Sequence, residues 1–161
     1  METVIRGTAA GLLATLAMSI IIAASRASLL FRTPPPLEIT ENIQTRLGLR
    51  HQKLPEPVFQ ASWVVAHAAY GAICGALYAV LRPRLPQSRT FIGLLYGALV
   101  WVISYLGVLP ALKLYPWPDE DTRLRRATMI IAHGVYGLTL AHSEYALENR
   151  ERTIAPAVSA R

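Results

Sequence analysis

Three apolar runs without a single charged residue limit what this chain can fold into. They cover residues 7–25, 58–81 and 90–112. A helix of a soluble protein needs a polar face, whereas an uncharged apolar stretch of about 18 residues or more is typical of a transmembrane helix. The sequence therefore predicts an integral membrane protein. Pro110 is expected to kink or end the third of these helices.

A fourth run, residues 127–147, continues the helical pattern but carries His133, His142 and Glu144. With it, the predicted fold is an all-α membrane bundle of about four transmembrane helices in one domain. A cleaved signal peptide is the alternative for the first run, which is longer than the usual ~7–15 apolar residues. The predicted spans are about 7–30, 58–81, 90–112 and 127–147 within a domain of residues 1–147, and residues 148–161 are expected to be a disordered tail.

The connection after the first run contains a proline triplet and a periodic segment. Pro34-Pro35-Pro36 predicts a stiff extended spacer. Ile39, Ile43 and Leu47 then recur at four-residue spacing, which predicts an amphipathic helix over about residues 37–50 that lies on the membrane surface or caps the bundle. Three adjacent carboxylates in a later connection, residues 119–121, predict a solvated turn, with weak cation binding as the alternative.

The charge pattern indicates which surface the chain contacts. The net charge is +6, yet charged residues make up only 16% of the chain, against about 25% in soluble domains. The arginines lie between the apolar runs, which favours lipid phosphates over nucleic acid as their partner. The basic connection of residues 82–89 favours an orientation with both termini in the cytoplasm.

A short motif recurs in the second and fourth runs at a constant offset of 66 residues. Ala66-His67-x-x-Tyr70-Gly71 matches Ala132-His133-x-x-Tyr136-Gly137, and the first and third runs each begin with Gly-x-x-x-Gly. Either the chain is a duplicated helical hairpin or these are chance matches of common small residues. Small residues let membrane helices approach closely. The residues predicted to pack helices together are Gly7, Gly11, Gly71, Gly75, Gly93, Gly97 and Gly137.

The same two runs place polar side chains on one helical face each. This candidate polar stripe consists of His67, Tyr70, His133, Tyr136 and Glu144. The favoured interpretation is packing, in which each side chain satisfies a neighbouring helix through a hydrogen bond. The alternatives are a small transporter or proton relay and, less favoured, a haem- or metal-binding redox subunit.

The sequence predicts neither a catalytic residue nor a cofactor. It contains no nucleophile elbow, phosphate-binding glycine loop or zinc-protease motif, and no haem attachment motif. Cys74 is the only cysteine, so a thiolate metal cluster and an intramolecular disulfide are excluded. We therefore expect a non-enzymatic structural, accessory or stress-related membrane component. Its partners would be the bilayer and, through its small-residue faces, a second copy or a larger complex.

Several segments together resemble the YagU-like group of small bacterial inner-membrane proteins. They are Gly7-Thr-Ala-Ala-Gly11-Leu-Leu-Ala-Thr, His67, Gly93-Leu-Leu-Tyr-Gly97-Ala-Leu, Leu109-Pro110, Pro116-Trp117 and Ala132-His133-Gly134-Val-Tyr136-Gly137. The resemblance covers residues 5–147 and departs from that group in the first long connection. It implies a multi-pass protein of the bacterial inner membrane with no established activity, so it supplies no catalytic residues.

Overall fold

All elements in the described part of the chain are helical. The computed structural model describes residues 2–28, 33–49 and 55–159, with side chains to residue 153. Two non-α segments are present there, a 3₁₀ turn at Arg82–Arg84 and a π-helical segment at Val102–Val108. The α-helices are α1 (Glu2–Ala27), α2 (Pro35–Arg46), α3 (Glu56–Leu81), α4 (Arg89–Trp101), α5 (Leu109–Ala111) and α6 (Arg123–Ser159).

Three helical stretches are long and apolar enough to cross a membrane. They are Glu2–Ala27, Glu56–Arg84 and Arg89–Ala111. The predicted all-α class is confirmed, and so is the presence of helices suited to a membrane. The helix α6 does not meet the same criterion of length and hydropathy. The last two residues of the predicted first span, 29 and 30, lie outside the described part of the chain.

The distribution of residue types on α1 is the reverse of that in a soluble helix. Small residues such as Gly7, Gly11 and Ala14 are buried against the other helices. Leu16 and Ile20 point outward and are 62% and 61% exposed. Helices in lipid pack through small residues because the bilayer already surrounds large apolar side chains. The outer surface of the bundle therefore suits an apolar solvent.

Glycines bring the helix backbones together in two pairs, α1 with α3 and α4 with α6. A Cβ atom added to Gly7 would lie 2.6 Å from the carbonyl oxygen of Gly75, and one added to Gly93 would lie 2.6 Å from that of Gly137. Such distances leave no room for a side chain. All seven glycines predicted to pack helices lie at one of these two crossings. The duplication of a hairpin stays a prediction.

The packing leaves α3 and α4 further apart than the other neighbours. The helix α1 packs against α3 and α6, and α6 packs against α4. Tyrosine side chains bridge the remaining gap between α3 and α4: Tyr96 donates to the carbonyl oxygen of Cys74 at 2.6 Å, and its ring lies edge-on to that of Tyr78. Side-chain contacts, and not a close approach of the backbones, therefore connect α3 with α4.

The helix α2 begins inside the proline triplet, so the predicted spacer is wrong for two of its three residues. Pro34 is extended, with φ −65° and ψ 138°, and Pro35 is the first helical residue. The first-turn N–H groups of a helix have no partner within the helix, so prolines are tolerated there without loss of a hydrogen bond. The helix ends at Arg46; residue 50, the predicted end, lies outside the described part of the chain.

A π-helical segment, Val102–Val108, precedes Pro110, and the helix ends at Ala111. Proline lacks the N–H group for the preceding turn and its ring crowds the carbonyl four residues earlier. A wider π turn accommodates such a conflict. Lys113, with φ 53°, then redirects the chain.

The C-terminal segment differs from the disordered tail that the sequence predicted from Glu148 onward. The helix α6 continues to Ser159. Glu151 forms an ion pair with Arg6 of α1 at 2.7 Å, and Glu148 pairs with Arg152 one turn later, also at 2.7 Å. These charge pairs stabilise the extension of the helix. Residues 160 and 161 lie outside the described part of the chain.

Candidate functional site

A cavity of about 420 Å³ lies between α1, α2, α3, α4, α6 and the π-helical segment. We call it the chamber. Among the described residues that line it, none is Asp, Glu, Lys or Arg. Several lining residues also reach the surface of the bundle, among them Tyr70 and Val108, which are 47% and 49% exposed. Its wall is therefore uncharged and accessible from the surface of the bundle.

Both histidines of the recurring motif line the chamber, His67 from α3 and His133 from α6. Nδ1 of His133 lies 2.8 Å from the carbonyl oxygen of Met129. Because a carbonyl oxygen only accepts hydrogen bonds, Nδ1 carries the hydrogen and donates it. In the neutral ring, Nε2 then holds a free lone pair. The structure thus brings the two imidazoles into one space and defines the tautomer of one of them.

The two tyrosines of the candidate polar stripe also line the chamber, but their hydroxyl groups join its walls. The hydroxyl of Tyr70 lies 2.6 Å from that of Ser104 in the π-helical segment. The hydroxyl of Tyr136 on α6 donates to the carbonyl oxygen of Gly71 on α3 at 2.8 Å. These bonds connect three elements around the chamber and so hold its shape.

Glu144, the fifth member of the candidate polar stripe, does not line the chamber. It lies eleven residues beyond His133, about 16 Å along the helix axis. Its side chain is only 1% exposed, and Oε1 accepts a hydrogen bond from Nε of Arg6 at 2.8 Å. Glu144 lies on the buried face of α6 with Tyr136 and Leu140, but it pairs with Arg6 of α1 and not with the polar groups of the chamber. His142, by contrast, is exposed.

The expected solvated turn of residues 119–121 is wrong for Asp121, which is 9% exposed. Its carboxylate accepts hydrogen bonds from the hydroxyls of Tyr105 and Tyr115, the latter at 3.1 Å, and Nη1 of Arg125 lies 3.9 Å away. Burial raises the pKa of Tyr115, which therefore stays a neutral donor. The four-residue spacing of Asp121 and Arg125 was the signal in the sequence for this cluster.

The helix α2 covers one end of the chamber. Its apolar face, including Ile39 and Ile43, lines the chamber. Glu38 on its polar side forms an ion pair with Arg125 of α6. Asn42 donates to the carbonyl oxygen of Leu114 at 2.9 Å. The amphipathic pattern predicted a helix that lies on the membrane surface or caps the bundle, and in the structure its apolar face packs onto the bundle.

The described residues contain no group of three or more His, Cys, Asp or Glu side chains that could hold a metal ion. The polar atoms of the chamber are therefore two imidazoles and several hydroxyls. Such groups donate and accept hydrogen bonds. This arrangement can bind and orient a small molecule that enters the chamber.

Comparison with known proteins gives one match. A family model described as "Family of unknown function (DUF6789)" matches residues 1–155. No curated protein and no solved structure matches the chain. The family match contains the whole chamber but assigns no role to any residue. The resemblance to the YagU-like group therefore stays an expectation.

Proposed function

We propose a function from the geometry of the chamber, since the chain belongs to the DUF6789 family and the function of that family is unknown. In this proposal the protein is a non-enzymatic, multi-pass membrane component that binds a small, mostly apolar molecule. The observation that carries the proposal is the uncharged chamber of about 420 Å³. Its volume falls within the ~300–1,000 Å³ of small-molecule pockets, which are typically apolar with a few polar groups.

Four spans are part of this proposal, with α6 as the fourth. The buried face of α6 includes Met129, Ala132, Tyr136 and Leu140, and it packs against α1 and α4. If those two helices cross the bilayer, the segment of α6 beside them lies at the same depth. The ion pair with Arg6 compensates the one carboxylate on this face, as charged groups inside membranes require.

The location follows from the four spans. Both termini and the basic connection of residues 82–89 would lie on one side, and the basic residues favour the cytoplasmic side. We place the protein in the bacterial inner membrane on the strength of the expected YagU-like resemblance. Seven glycines are used within the bundle, so association with a second copy or a larger complex would involve the outer leucines and isoleucines.

Access from the bilayer supports an apolar ligand. We place the opening of the chamber beside Tyr70 of α3 and Val108 of the π-helical segment, which line it and are 47% and 49% exposed. In a bundle that spans the membrane, this opening would face lipid tails rather than water. A molecule already dissolved in the bilayer could then enter without crossing a polar interface.

A transporter or proton relay is the second candidate, and one observation favours it: His67 and His133 share the chamber. A relay needs titratable groups within one continuous space, and histidine is the usual choice. Under this alternative, His67→Ala or His133→Ala would abolish pH-driven flux into vesicles that contain the folded protein. Under the binding proposal, neither variant would change proton flux.

The test of the binding proposal is to fill the chamber. Val100 lines it and is 9% exposed, whereas its neighbour Leu99 is 50% exposed on the outer face. We expect protein purified in nanodiscs to carry a bound apolar molecule, detected by native mass spectrometry and solvent extraction. Val100→Trp should lose this molecule, and the matched control Leu99→Trp should retain it.

Two outcomes would contradict the proposal. One is wild-type protein that carries nothing beyond the bulk nanodisc lipids after exposure to a total membrane extract. The other is equal occupancy in folded Val100→Trp and Leu99→Trp, which would place the bound molecule outside the chamber. The elution volume and the thermal transition of each variant report whether it has folded.

A further inference from the structure

We propose that the ligand of the chamber is a neutral amphiphile with a free hydroxyl group, which donates its hydrogen to Nε2 of His133. This inference rests on the proposed binding function and specifies the chemistry of its ligand. Three properties of the wall lead to it: the tautomer of His133, the hydrogen bonds of the wall hydroxyls, and the lack of charge in the described lining.

The first property is a hydrogen-bond acceptor on a residue that lines the chamber. Nδ1 of His133 donates to the carbonyl oxygen of Met129 at 2.8 Å. No carboxylate lines the chamber among the described residues, so nothing there compensates a charged imidazole. The ring is therefore neutral and its other nitrogen, Nε2, accepts. A ligand that buries Nε2 without a donor leaves this acceptor unpaired, at a cost in binding.

The second property is that the wall hydroxyls donate mostly within the protein. Thr15 and Thr40 each donate to the carbonyl oxygen four residues earlier, at 2.8 Å. Tyr136 donates to Gly71 at 2.8 Å, and Tyr105 donates to a buried carboxylate. The oxygens of these groups retain lone pairs, whereas their hydrogens are already bonded. The donors left in the wall are the N–H of His67 and one hydrogen of the Tyr70–Ser104 pair, so acceptors outnumber them and a ligand that donates is favoured.

The third property is the absence of a charged partner for the ligand. The described lining contains aliphatic side chains such as Met18, Ile22 and Leu109 but no cation or anion. A carboxylate or an ammonium group would lose its hydration there without compensation. A hydroxyl group is neutral, can donate to His133, and can accept through its oxygen from His67, whose ring has one N–H in either neutral tautomer. An alcohol or phenol on an apolar body therefore fits all three properties.

The experiment compares three probes of equal chain length: 1-dodecanol, methyl dodecyl ether and dodecanoic acid. Binding to the full-length protein in nanodiscs is measured by equilibrium dialysis, with Val100→Trp protein to define uptake outside the chamber. We expect the alcohol to bind at least about tenfold more tightly than the ether, the difference made by one hydrogen bond of about 1.4 kcal/mol. The acid, when ionised, should bind more weakly than the alcohol.

Variants then locate the acceptor. His133→Phe should abolish the preference for the alcohol over the ether while both probes still bind. His142→Phe, at an exposed position outside the chamber, should leave the preference unchanged. The wild-type ratio of the two affinities tests the proposal even if His133→Phe does not fold.

Each result has a defined meaning. Equal binding of alcohol and ether to the wild-type protein, or tighter binding of the acid, would overturn the inference and leave the binding function intact. A preference that survives in folded His133→Phe would assign the acceptor to another residue and also overturn it. If none of the three probes binds more to wild-type than to Val100→Trp protein, the binding function itself fails.

Discussion

Arg6 and Glu144 are 138 residues apart in the sequence and form an ion pair almost out of contact with solvent. Their side chains are 11% and 1% exposed. A carboxylate in such a place is stable only with its partner, because its hydration has been removed. The pair joins the start of α1 to the middle of α6.

Removal of the arginine alone should destabilise the protein strongly. Arg6→Leu leaves Glu144 buried without its partner, and we expect a loss of about 3–5 kcal/mol in the free energy of unfolding. The double variant Arg6→Leu/Glu144→Leu should recover much of that loss. Denaturant unfolding in detergent measures both. A double variant as unstable as the sum of the two single variants would show that the two residues act independently.

The positions of some single residues could be predicted from the sequence, whereas the partners of others could not. The spacing of His67 and His133 in their motifs predicted matched positions, and both line the chamber. The role of Glu144 depends on Arg6, 138 residues away, and that of Asp121 on Tyr105, 16 residues away. Local periodicity does not identify these two partners, so Asp121 was expected in a solvated turn and Glu144 in the candidate polar stripe.

At the scale of elements, the helices of a pair approach closely because glycines leave no side chain at the crossing. Gly75 of α3 meets the backbone of α1 at Gly7 and Gly11. Gly134 of α6 is a helical glycine too, but the nearest atom to an added Cβ there is Cδ2 of Leu94 at 3.8 Å. The two positions have the same residue type and a similar backbone, but different surroundings.

The same substitution at these two glycines should therefore have opposite effects. Gly75→Ala forces α1 and α3 apart, and we expect it to destabilise the bundle by about 1–3 kcal/mol. Gly134→Ala gains helix propensity without a clash and should stabilise by up to about 1 kcal/mol. Thermal unfolding in one detergent compares them. Equal effects at both positions would mean that the α1–α3 contact is looser than the distances indicate.

At the scale of elements, the sequence predicted the long helices well and the irregular parts poorly. Uncharged apolar runs defined α1, α3 and α4 because hydropathy is a local property. The sequence pattern did not predict the start of α2 at Pro35 or the π-helical segment before Pro110. Both depend on where the helix can accommodate a proline ring and its missing N–H group. The chamber results from the separation of α3 and α4, which no single segment encodes.

The whole molecule raises the question of how many times the chain crosses the membrane. Three helices qualify by length and hydropathy, and we propose α6 as the fourth. Since Cys74 is the only cysteine, a Cys74→Ala chain provides a background without thiols. Exposed positions in the two connections and near the end of α6 can then be labelled one at a time.

Labelling with a membrane-impermeant maleimide should place Gln87→Cys and Arg150→Cys on one side and Asp119→Cys on the other. All three positions are exposed. Accessibility in intact cells and in inverted vesicles gives the side for each. If Asp119→Cys and Arg150→Cys react from the same side, α6 does not cross, and the chain has three spans.

The uncharged wall of the chamber has an electrical consequence. A unit charge that moves across the whole membrane gains or loses about 2.3 kcal/mol per 100 mV. The binding energy of a neutral molecule among neutral side chains does not change with the membrane potential. A hydroxyl-bearing ligand in a chamber without charged lining would thus be held equally well by energised and by depolarised cells. Under the proposal, the protein would therefore hold its ligand with the same affinity at any membrane potential.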